Sequence, residues 1–341
     1  IPLVDTGFHI GLVLAPKARH LLYTMDIVHV HHPFQSGPLA LRYCKRRNIP
    51  VVFTNHTRYD LYAQVYLPAL FDALTEGAIR AYLPAFCRAC DLVVAPSPSL
   101  KEVLLGIGVD SPVEVVPNGV DLAPFTFPPN VVNRSTYDIP LDAIVLIYAG
   151  RLGPEKNLIF LLRSFLGLAA AVENVHLVFV GDGSERDNLE DWGNNTPHAN
   201  RIHFTGQVPY AELPGYLAMA DIFVTASVTE VHPLSVIEAL GAGLPVLGVD
   251  APGVKDTVIH GVSGLLASED QAAYTAKMMR MVTEHDLRKH LAAGARQTAA
   301  RFDIHLTSHL MASHYQRLVE NTLPRKRSLA SQIRRVLDLW R

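Results

Sequence analysis

The sequence predicts an α/β protein with two Rossmann-like domains, each built on an open parallel sheet. Short β-branched runs alternate with segments of helical periodicity, which is typical of parallel strands covered by helices on both faces. The alternation stops at a stretch rich in proline and polar residues, 121–140, and then starts again. A chain of 341 residues is long enough for two such domains.

The strand-like segments divide the chain. In order, they are 26–30, 49–55, 91–97, 113–119, 143–150, 175–183, 201–208, 221–227 and 244–250. We therefore expect a first domain over 1–120, a linker over 121–140 and a second domain over 141–305. Residues 306–341 are expected to form a helix that returns to the first domain, followed by a basic amphipathic tail.

The composition argues against several classes of protein. A net charge of −2 does not indicate nucleic-acid binding. Three cysteines are too few for a disulfide framework and fit a reducing compartment, with Cys87 and Cys90 expected as thiols buried on a helix. No apolar run reaches the roughly 18 residues of a membrane span. Neither half contains G-x-G-x-x-G, so no dinucleotide cofactor is expected.

Unusual loops follow the strands of the second domain. Arg151 and Lys156 flank Gly153 and Pro154 in one loop, and a glycine turn at Gly181 follows the next strand. Two cations at the carboxyl edge of a parallel sheet could clamp a diphosphate, because ligands of such sheets bind at that edge. A solvated surface loop is the other interpretation.

The stretch TEVHPLSVIEALGAGLPV, residues 229–246, places Glu230 and Glu238 around the start of a helix. In one interpretation Ser235 and Glu238 form a capping box. In the other, the helix N-terminus binds a phosphate and the carboxylates accept hydrogen bonds from sugar hydroxyls. The local sequence leaves both open.

Taken together, the motifs resemble those of retaining glycosyltransferases of family 4, the group 1 transferases with a B-type fold. The matching pieces are VVPNGVD, YAGRLGPEKN, VFVGDGSERDNL, IHFTGQVP, the E-x7-E of Glu230 and Glu238, and VSGLL. The resemblance implies two parallel sheets that face each other across a cleft. It also implies that the N-terminal domain is incomplete at its start, since the family's opening strand and glycine-rich loop have no counterpart in this chain.

The resemblance implies roles for matching residues. Arg151 and Lys156 would bind the donor's diphosphate and stabilise its departure, Glu230 would bind the donor sugar, and Glu238 the ribose. Further donor contacts are implied at Gly181, Val208, Leu234 and Ser235. Where the family often has E-G-F-G, this chain has Val231, His232 and Pro233 after Glu230. His232 could replace a backbone contact that Pro233, which has no N–H, cannot make.

The first domain supplies further candidates. His56 follows a predicted strand, where the family has a histidine that faces the donor sugar. His31 lies in HVHHPFQSG, which we interpret as a polar active-site edge or structural histidines rather than a metal site. Tyr59 and Tyr62 belong to an aromatic stripe that indicates core packing or a surface near the acceptor. The tail, 324–341, has the arginines and single tryptophan typical of an interfacial helix.

We therefore predict a metal-independent, retaining hexosyltransferase without a cofactor, located in the cytoplasm or on the inner face of the membrane. The predicted donor is UDP-hexose and the predicted acceptor is a lipid such as diacylglycerol. Transfer from GDP-mannose to phosphatidylinositol or to a soluble or polysaccharide acceptor is an alternative. Nucleotide-sugar 2-epimerases and phosphorylases use the same fold, so both are further alternatives. A non-enzymatic binding scaffold is the third.

Overall fold

A computed structural model of the protein describes residues 13–59, Leu61 and residues 73–322. Within these residues the chain forms two compact units. The first unit contains residues 13–56, 73–116 and 308–322, and the second contains 57–59, Leu61 and 117–307. Tyr62, expected in the aromatic stripe near the acceptor, and the tail 324–341, expected at a membrane, lie outside the described residues.

The first unit has a four-stranded parallel sheet in the order β1-β2-β3-β4. Its strands are β1 (Val28–Val30), β2 (Val51–Thr54), β3 (Leu92–Ala95) and β4 (Val113–Val115). Its helices are α1 (Pro16–Thr24), α2 (Ser36–Cys44), α3 (Ala73–Ala89) and α4 (Pro98–Gly106). Both β2 and β3 are buried along their whole length, as their continuous apolar sequences predict. Cys87 is a buried thiol on α3, and Cys90, half-buried, follows the helix; neither forms a disulfide.

The second unit has a six-stranded parallel sheet in the order β10-β9-β8-β5-β6-β7. The strands are β5 (Ile144–Ala149), β6 (Val175–Val180), β7 (Ile202–Phe204), β8 (Ile222–Thr225), β9 (Val246–Val249) and β10 (Gly264–Ala267). The α-helices are α5 (Ala123–Thr126), α6 (Leu158–Ala169), α7 (Arg186–Asn194), α8 (Leu213–Ala218), α9 (Leu234–Gly241), α10 (Val254–Thr257), α11 (Gln271–Thr283) and α12 (His285–Ala299).

Apolar layers cover both faces of this second sheet. Successive residues of a strand point to opposite faces, so Leu146 and Tyr148 of β5 join one cluster while Val145 and Ile147 join the other. Helices α6 and α11 cover the first face, and α9 contributes to the second. The sheet is therefore rigid, and the loops at its carboxyl edge are held by a packed core.

The last described helix, α13 (Ile304–Thr322), belongs to the first unit from Ser308 onward. Its Met311, Tyr315 and Leu318 pack against a cluster that includes Val52 and Val94 of the first sheet. A part of the chain that follows the whole second sheet thus completes the core of the first unit.

The predicted fold class is confirmed, and β1 to β9 lie within the segments that the sequence indicated. Strand β10, which the sequence analysis did not assign, is a short Gly-Leu-Leu-Ala segment without β-branched residues. Residues 121–140, expected to be an interdomain linker, belong to the second unit, where they include α5. Phe125 is buried there, and Arg134 donates to the carbonyl of Met219 at 2.8 Å and to Asp221 at 3.0 Å.

Candidate active site

The second sheet reverses its strand order between β5 and β8. Chain order runs outward from β5 through β6 to β7 on one side, and from β8 through β9 to β10 on the other. Ligands of open α/β sheets bind where the order reverses, beyond the carboxyl ends of the strands. The loop after β5 carries Arg151 and Lys156, and the loop after β8 carries Glu230, so the predicted charged residues flank this point.

Lys156 and Glu230 form an ion pair at the reversal point. The Lys156 Nζ lies 2.6 Å from Glu230 Oε1, and the two side chains are 18% and 17% exposed. Partly buried charges are costly unless they are paired, so each side chain holds the other in place. The sequence predicted both residues for the site and did not predict that they contact each other.

Arg151 is held by a carboxylate that the sequence analysis missed. Its Nη2 lies 2.5 Å from Glu155 Oε1; the side chain of Arg151 is 52% exposed and that of Glu155 is fully buried. The i, i+4 spacing of an arginine and a glutamate was a signal that could have pointed to this pair, because such residues often meet.

Gly181 allows two loops to run side by side. Gly150 N–H donates to the carbonyl of Val180, and Leu152 N–H donates to that of Asp182, both at 2.9 Å. A Cβ on Gly181, whose φ is +140°, would lie 2.0 Å from the carbonyl oxygen of Gly150. A side chain at this position would therefore push the Arg151 loop away, which gives Gly181 a structural role beside its predicted contact with the donor.

Helix α9 starts at the reversal point without a side-chain cap. Its N-cap residue is Pro233, which has extended backbone and no capping side chain. The capping-box interpretation was wrong, because Ser235 is the second residue of the helix and Glu238 bonds elsewhere. The first N–H groups of a helix have no partner within it, and here they include those of Leu234, which is exposed, and Ser235, which is half-buried.

Glu238 points into the protein and accepts a hydrogen bond from the hydroxyl of Tyr210 at 2.9 Å. The residue is 5% exposed, and burial raises the pKa of its carboxyl, an effect that the bond from Tyr210 opposes. Two residues before Tyr210, the half-buried Val208 packs against the apolar layer under α9. The loop after β7 therefore meets Glu238 beside the predicted nucleotide contacts.

His232 faces inward. The residue is 5% exposed, its ring packs edge-on against Phe302 at 4.9 Å, and its Nδ1 has no hydrogen-bond partner among the described residues. Burial lowers the pKa of this imidazole to about 4. Its carbonyl accepts a hydrogen bond from the Asn118 side chain at 3.0 Å. A ring in this position anchors the Glu230 loop to the core, so the suggestion that His232 contacts a ligand finds no support.

The candidates of the first unit form a histidine cluster. His31 Nδ1 lies 2.9 Å from His56 Nε2, and the rings stack at 5.1 Å. His29 bonds the hydroxyls of Tyr315 at 2.5 Å and Thr54 at 2.7 Å. Desolvation, with a smaller effect of His31, lowers the pKa of His56 to about 4, so this ring is neutral near pH 7.

Tyr59, the remaining candidate among the described residues, is half-buried, and burial raises the pKa of its hydroxyl to about 12. Among residues 13–59 and 73–322, no group of three His, Cys, Asp or Glu side chains is arranged to hold a metal ion. None of the helices in the same ranges has both the length and the hydropathy of a bilayer-crossing helix.

The sequence matches two glycosyltransferase families in succession. Residues 132–298 match the family described as glycosyl transferases group 1, and residues 2–124 match glycosyltransferase family 4. The chain belongs to the group 1 glycosyltransferases. The match over 132–298 includes both loops that carry Arg151, Lys156 and Glu230, together with helix α9.

Relatives and a solved structure agree with this family. The chain is 27% identical to an alpha-monoglucosyldiacylglycerol synthase of Acholeplasma laidlawii over 71% of its own length and 63% of the relative's. It is 29% identical to a D-inositol 3-phosphate glycosyltransferase of Stackebrandtia nassauensis, over 96% of this chain and 76% of that one. HepE of Anabaena, solved with UDP, has a TM-score of 0.72 at 19% identity, covering 88% and 81% of the two chains. The chain therefore spans less than two thirds of the synthase's length.

Proposed function

We propose that this group 1 glycosyltransferase moves a hexose from a nucleoside diphosphate sugar to a lipid such as diacylglycerol. The donor we propose first is a UDP-hexose. The observation that carries the proposal is the meeting of Lys156, Glu230 and the open start of α9 at the strand-order reversal. One edge of one sheet thus offers a cation, a carboxylate and free N–H groups.

These groups, together with Arg151 and Glu238, suit the diphosphate, the sugar and the ribose of the donor. The ammonium of Lys156, the guanidinium of Arg151 and the α9 N-terminus suit the diphosphate. The carboxylate of Glu230 suits hydroxyls of the sugar, and Glu238 suits those of the ribose. A UDP donor is further supported by HepE, which has the same fold and was solved with UDP.

In the proposed reaction, the bond between the anomeric carbon and the diphosphate breaks. Negative charge grows on the diphosphate, where Arg151, Lys156 and the helix N-terminus stabilise it without reorganising. The acceptor hydroxyl attacks on the face that the leaving group vacates and gives its proton to the departing diphosphate, so the anomeric configuration is retained. Fixed protein charges carry out the charge stabilisation in this scheme, which needs no metal ion. We also keep His56, whose ring is neutral, among the proposed catalytic residues.

The lipid acceptor is supported by the synthase relative, whose name specifies a glucosyldiacylglycerol. We place the transfer at a membrane surface, with the basic tail 324–341 as the contact. A soluble acceptor is the second candidate, because the relative with the larger coverage is named for inositol phosphate.

A donor panel tests the function. Radiolabelled UDP- and GDP-sugars are incubated with the protein and anionic liposomes that contain diacylglycerol, and label is counted in the lipid phase. We expect label from one UDP-hexose. Label in water-soluble product with inositol phosphate would favour the second candidate, and an epimerised donor without any transfer would contradict both.

The variants Glu230→Gln and Lys156→Ala test the site in the same assay. Each removes one half of the ion pair, and each is expected to lower transfer by at least a hundredfold, the order of loss for a group that stabilises developing charge. Far-UV circular dichroism checks that both variants are folded. Full transfer by both folded variants would contradict the site assignment.

A further inference from the structure

The loop that carries Arg151 contains a carboxylate, that of Glu155, to which the proposed function gives no role. Its side chain is fully buried, and its carboxylate lies 2.5 Å from Arg151 Nη2. An ionised carboxylate without water is expensive unless a charged partner bonds it. Glu155 therefore binds the guanidinium much more firmly than a surface glutamate would.

The surroundings hold Glu155 itself in one place. The hydroxyls of Ser227 and Thr229, on the loop after β8, donate to its carbonyl at 3.4 and 3.2 Å. A Cβ on Gly153 would lie 2.4 Å from Glu155 Oε2, so the carboxylate fills the space that a glycine leaves. Both the backbone and the head group of Glu155 are thus fixed by neighbouring residues.

Unlike the side chain of Glu155, that of Arg151 reaches the solvent. Its side chain is 52% exposed, and an exposed arginine loses much rotamer freedom when it binds a ligand. A guanidinium has five N–H donors in a planar fork, so an arginine that is bonded to a carboxylate can bond an anion as well. A bond to an immobile carboxylate reduces the ordering cost before any ligand arrives.

We propose that Glu155 is a positioning residue that holds Arg151 in the orientation in which it meets the donor's diphosphate. The proposal rests on the proposed function, since it takes Arg151 as a diphosphate ligand. Glu155 does not touch the donor. It acts through the guanidinium, so its loss should weaken binding of the diphosphate while binding of the nucleoside is unchanged.

The test compares Glu155→Gln, Arg151→Ala and the double variant in the full chain. Affinities are measured for UDP against uridine and for GDP against guanosine. For Glu155→Gln we expect diphosphate affinity to fall about tenfold, the order of one charge-assisted hydrogen bond, and nucleoside affinity to stay the same. The double variant should bind no more weakly than Arg151→Ala, because the glutamine acts only through Arg151.

A second readout does not depend on nucleotides. With ¹⁵N-arginine labelling, the Arg151 guanidinium, assigned by its loss in Arg151→Lys, should give slowly exchanging N–H signals that Glu155→Gln removes. Gly153→Ala provides a variant that keeps both charges. Its new Cβ should displace the carboxylate of Glu155 from Arg151. We expect it to change the signals and the diphosphate affinity in the same direction.

The outcomes separate the two proposals. Unchanged Arg151 signals in both Glu155→Gln and Gly153→Ala would overturn the positioning role, whatever the protein binds. Equal losses of affinity for diphosphate and nucleoside would also overturn it, since a general loss of structure predicts that result. If the wild-type protein binds no nucleotide while its Arg151 signals respond as expected, the proposed function fails and the positioning of Arg151 stands.

Discussion

At the residue scale, the contact between Tyr210 and Glu238 shows how burial and hydrogen bonding oppose each other. Burial of Glu238 disfavours its carboxylate form, which raises its pKa, and the Tyr210 hydroxyl donates to that form at 2.9 Å. A carboxyl whose pKa is higher in the folded than in the unfolded state destabilises the fold as the pH rises through the folded pKa. Tyr210 limits this cost.

Tyr210→Phe should therefore reduce stability most at high pH. Without the hydroxyl the pKa of Glu238 rises further, and the free energy of unfolding at pH 8 should fall by about 1–2 kcal/mol, with a smaller loss at pH 5. Urea denaturation at both pH values measures this difference. Tyr137→Phe is the control, because its hydroxyl meets the neutral hydroxyl of Tyr216 at 3.4 Å and its effect should not depend on pH. Equal losses at both pH values in Tyr210→Phe would contradict the argument.

Motif spacing indicated which charged residues are candidates for the site, and it could not predict their partners. Arg151 and Lys156 follow strand β5, and Glu230 follows strand β8. Because these strands are parallel, the three residues lie at the same edge of the sheet. The pairing of Lys156 with Glu230 depends on β5 and β8 being neighbours, which a single sequence does not fix. The capping-box interpretation failed because the helix already begins at Leu234, after Pro233, so Ser235 lies inside its first turn.

At the element scale, the turn between β9 and α10 supports the Glu230 loop. Gly253 has a φ of +80°, and a Cβ on it would lie 2.6 Å from the carbonyl oxygen of Glu230. Gly253 N–H donates to the Asp256 side chain at 3.0 Å, which closes the first turn of α10. The position of Glu230 thus depends on close backbone contact with a turn that follows the next strand.

Gly253→Ala should move the Glu230 loop and lower both stability and transfer. The matched control is Gly261→Ala, since Gly261 has a similar φ of +77° and nothing lies within 4 Å of its added Cβ. The control should lose about 1 kcal/mol from backbone strain alone and retain transfer. Gly253→Ala should lose more, about 2–4 kcal/mol once the steric clash is added, and most of its transfer activity. Thermal unfolding and the transfer assay measure the two effects, and equal behaviour of the two variants would contradict the proposed contact.

Apolar runs located nine of the ten described strands, β1 to β9. Continuous runs such as VHLVFV in β6 have few alternatives to a buried parallel strand. Periodicity failed for 121–140, where Arg134 binds carbonyl groups of Met219 and Ala143. Such a polar anchor leaves no repeating pattern, so the prolines and polar residues of the segment indicated a linker.

At the scale of the whole molecule, buried histidines should make the fold sensitive to acid. Burial is the main cause that lowers the pKa values of three imidazoles to about 4, namely those of the buried His232 and the half-buried His29 and His203. Unfolded histidines titrate near 6.5, so between about pH 6.5 and pH 4 the unfolded chain binds more protons than the folded one. The stabilising contribution is therefore present above pH 6.5 and is lost as the pH falls toward 4.

The midpoint of urea unfolding should therefore decrease steadily from pH 7 to pH 4.5. His232→Asn removes one of the three groups and should make this decrease less steep, even if the variant is less stable at pH 7. His290→Asn, at an exposed residue of α12, is the comparison, and its slope should equal that of the wild type. A midpoint that does not change over this interval would show that these rings are not held neutral by the fold.

Helix α13 has a consequence for how the protein is made. The core of the first unit includes Val52 and Val94, which the ribosome produces early, and Met311 and Tyr315, which it produces after the entire second sheet. Domains generally fold as units during synthesis. All strands of the second unit are therefore synthesised before α13. Part of the apolar surface of the first sheet stays uncovered until α13 has been made. The core of the first sheet can therefore be completed only after the second unit has been synthesised, when α13 supplies Met311 and Tyr315.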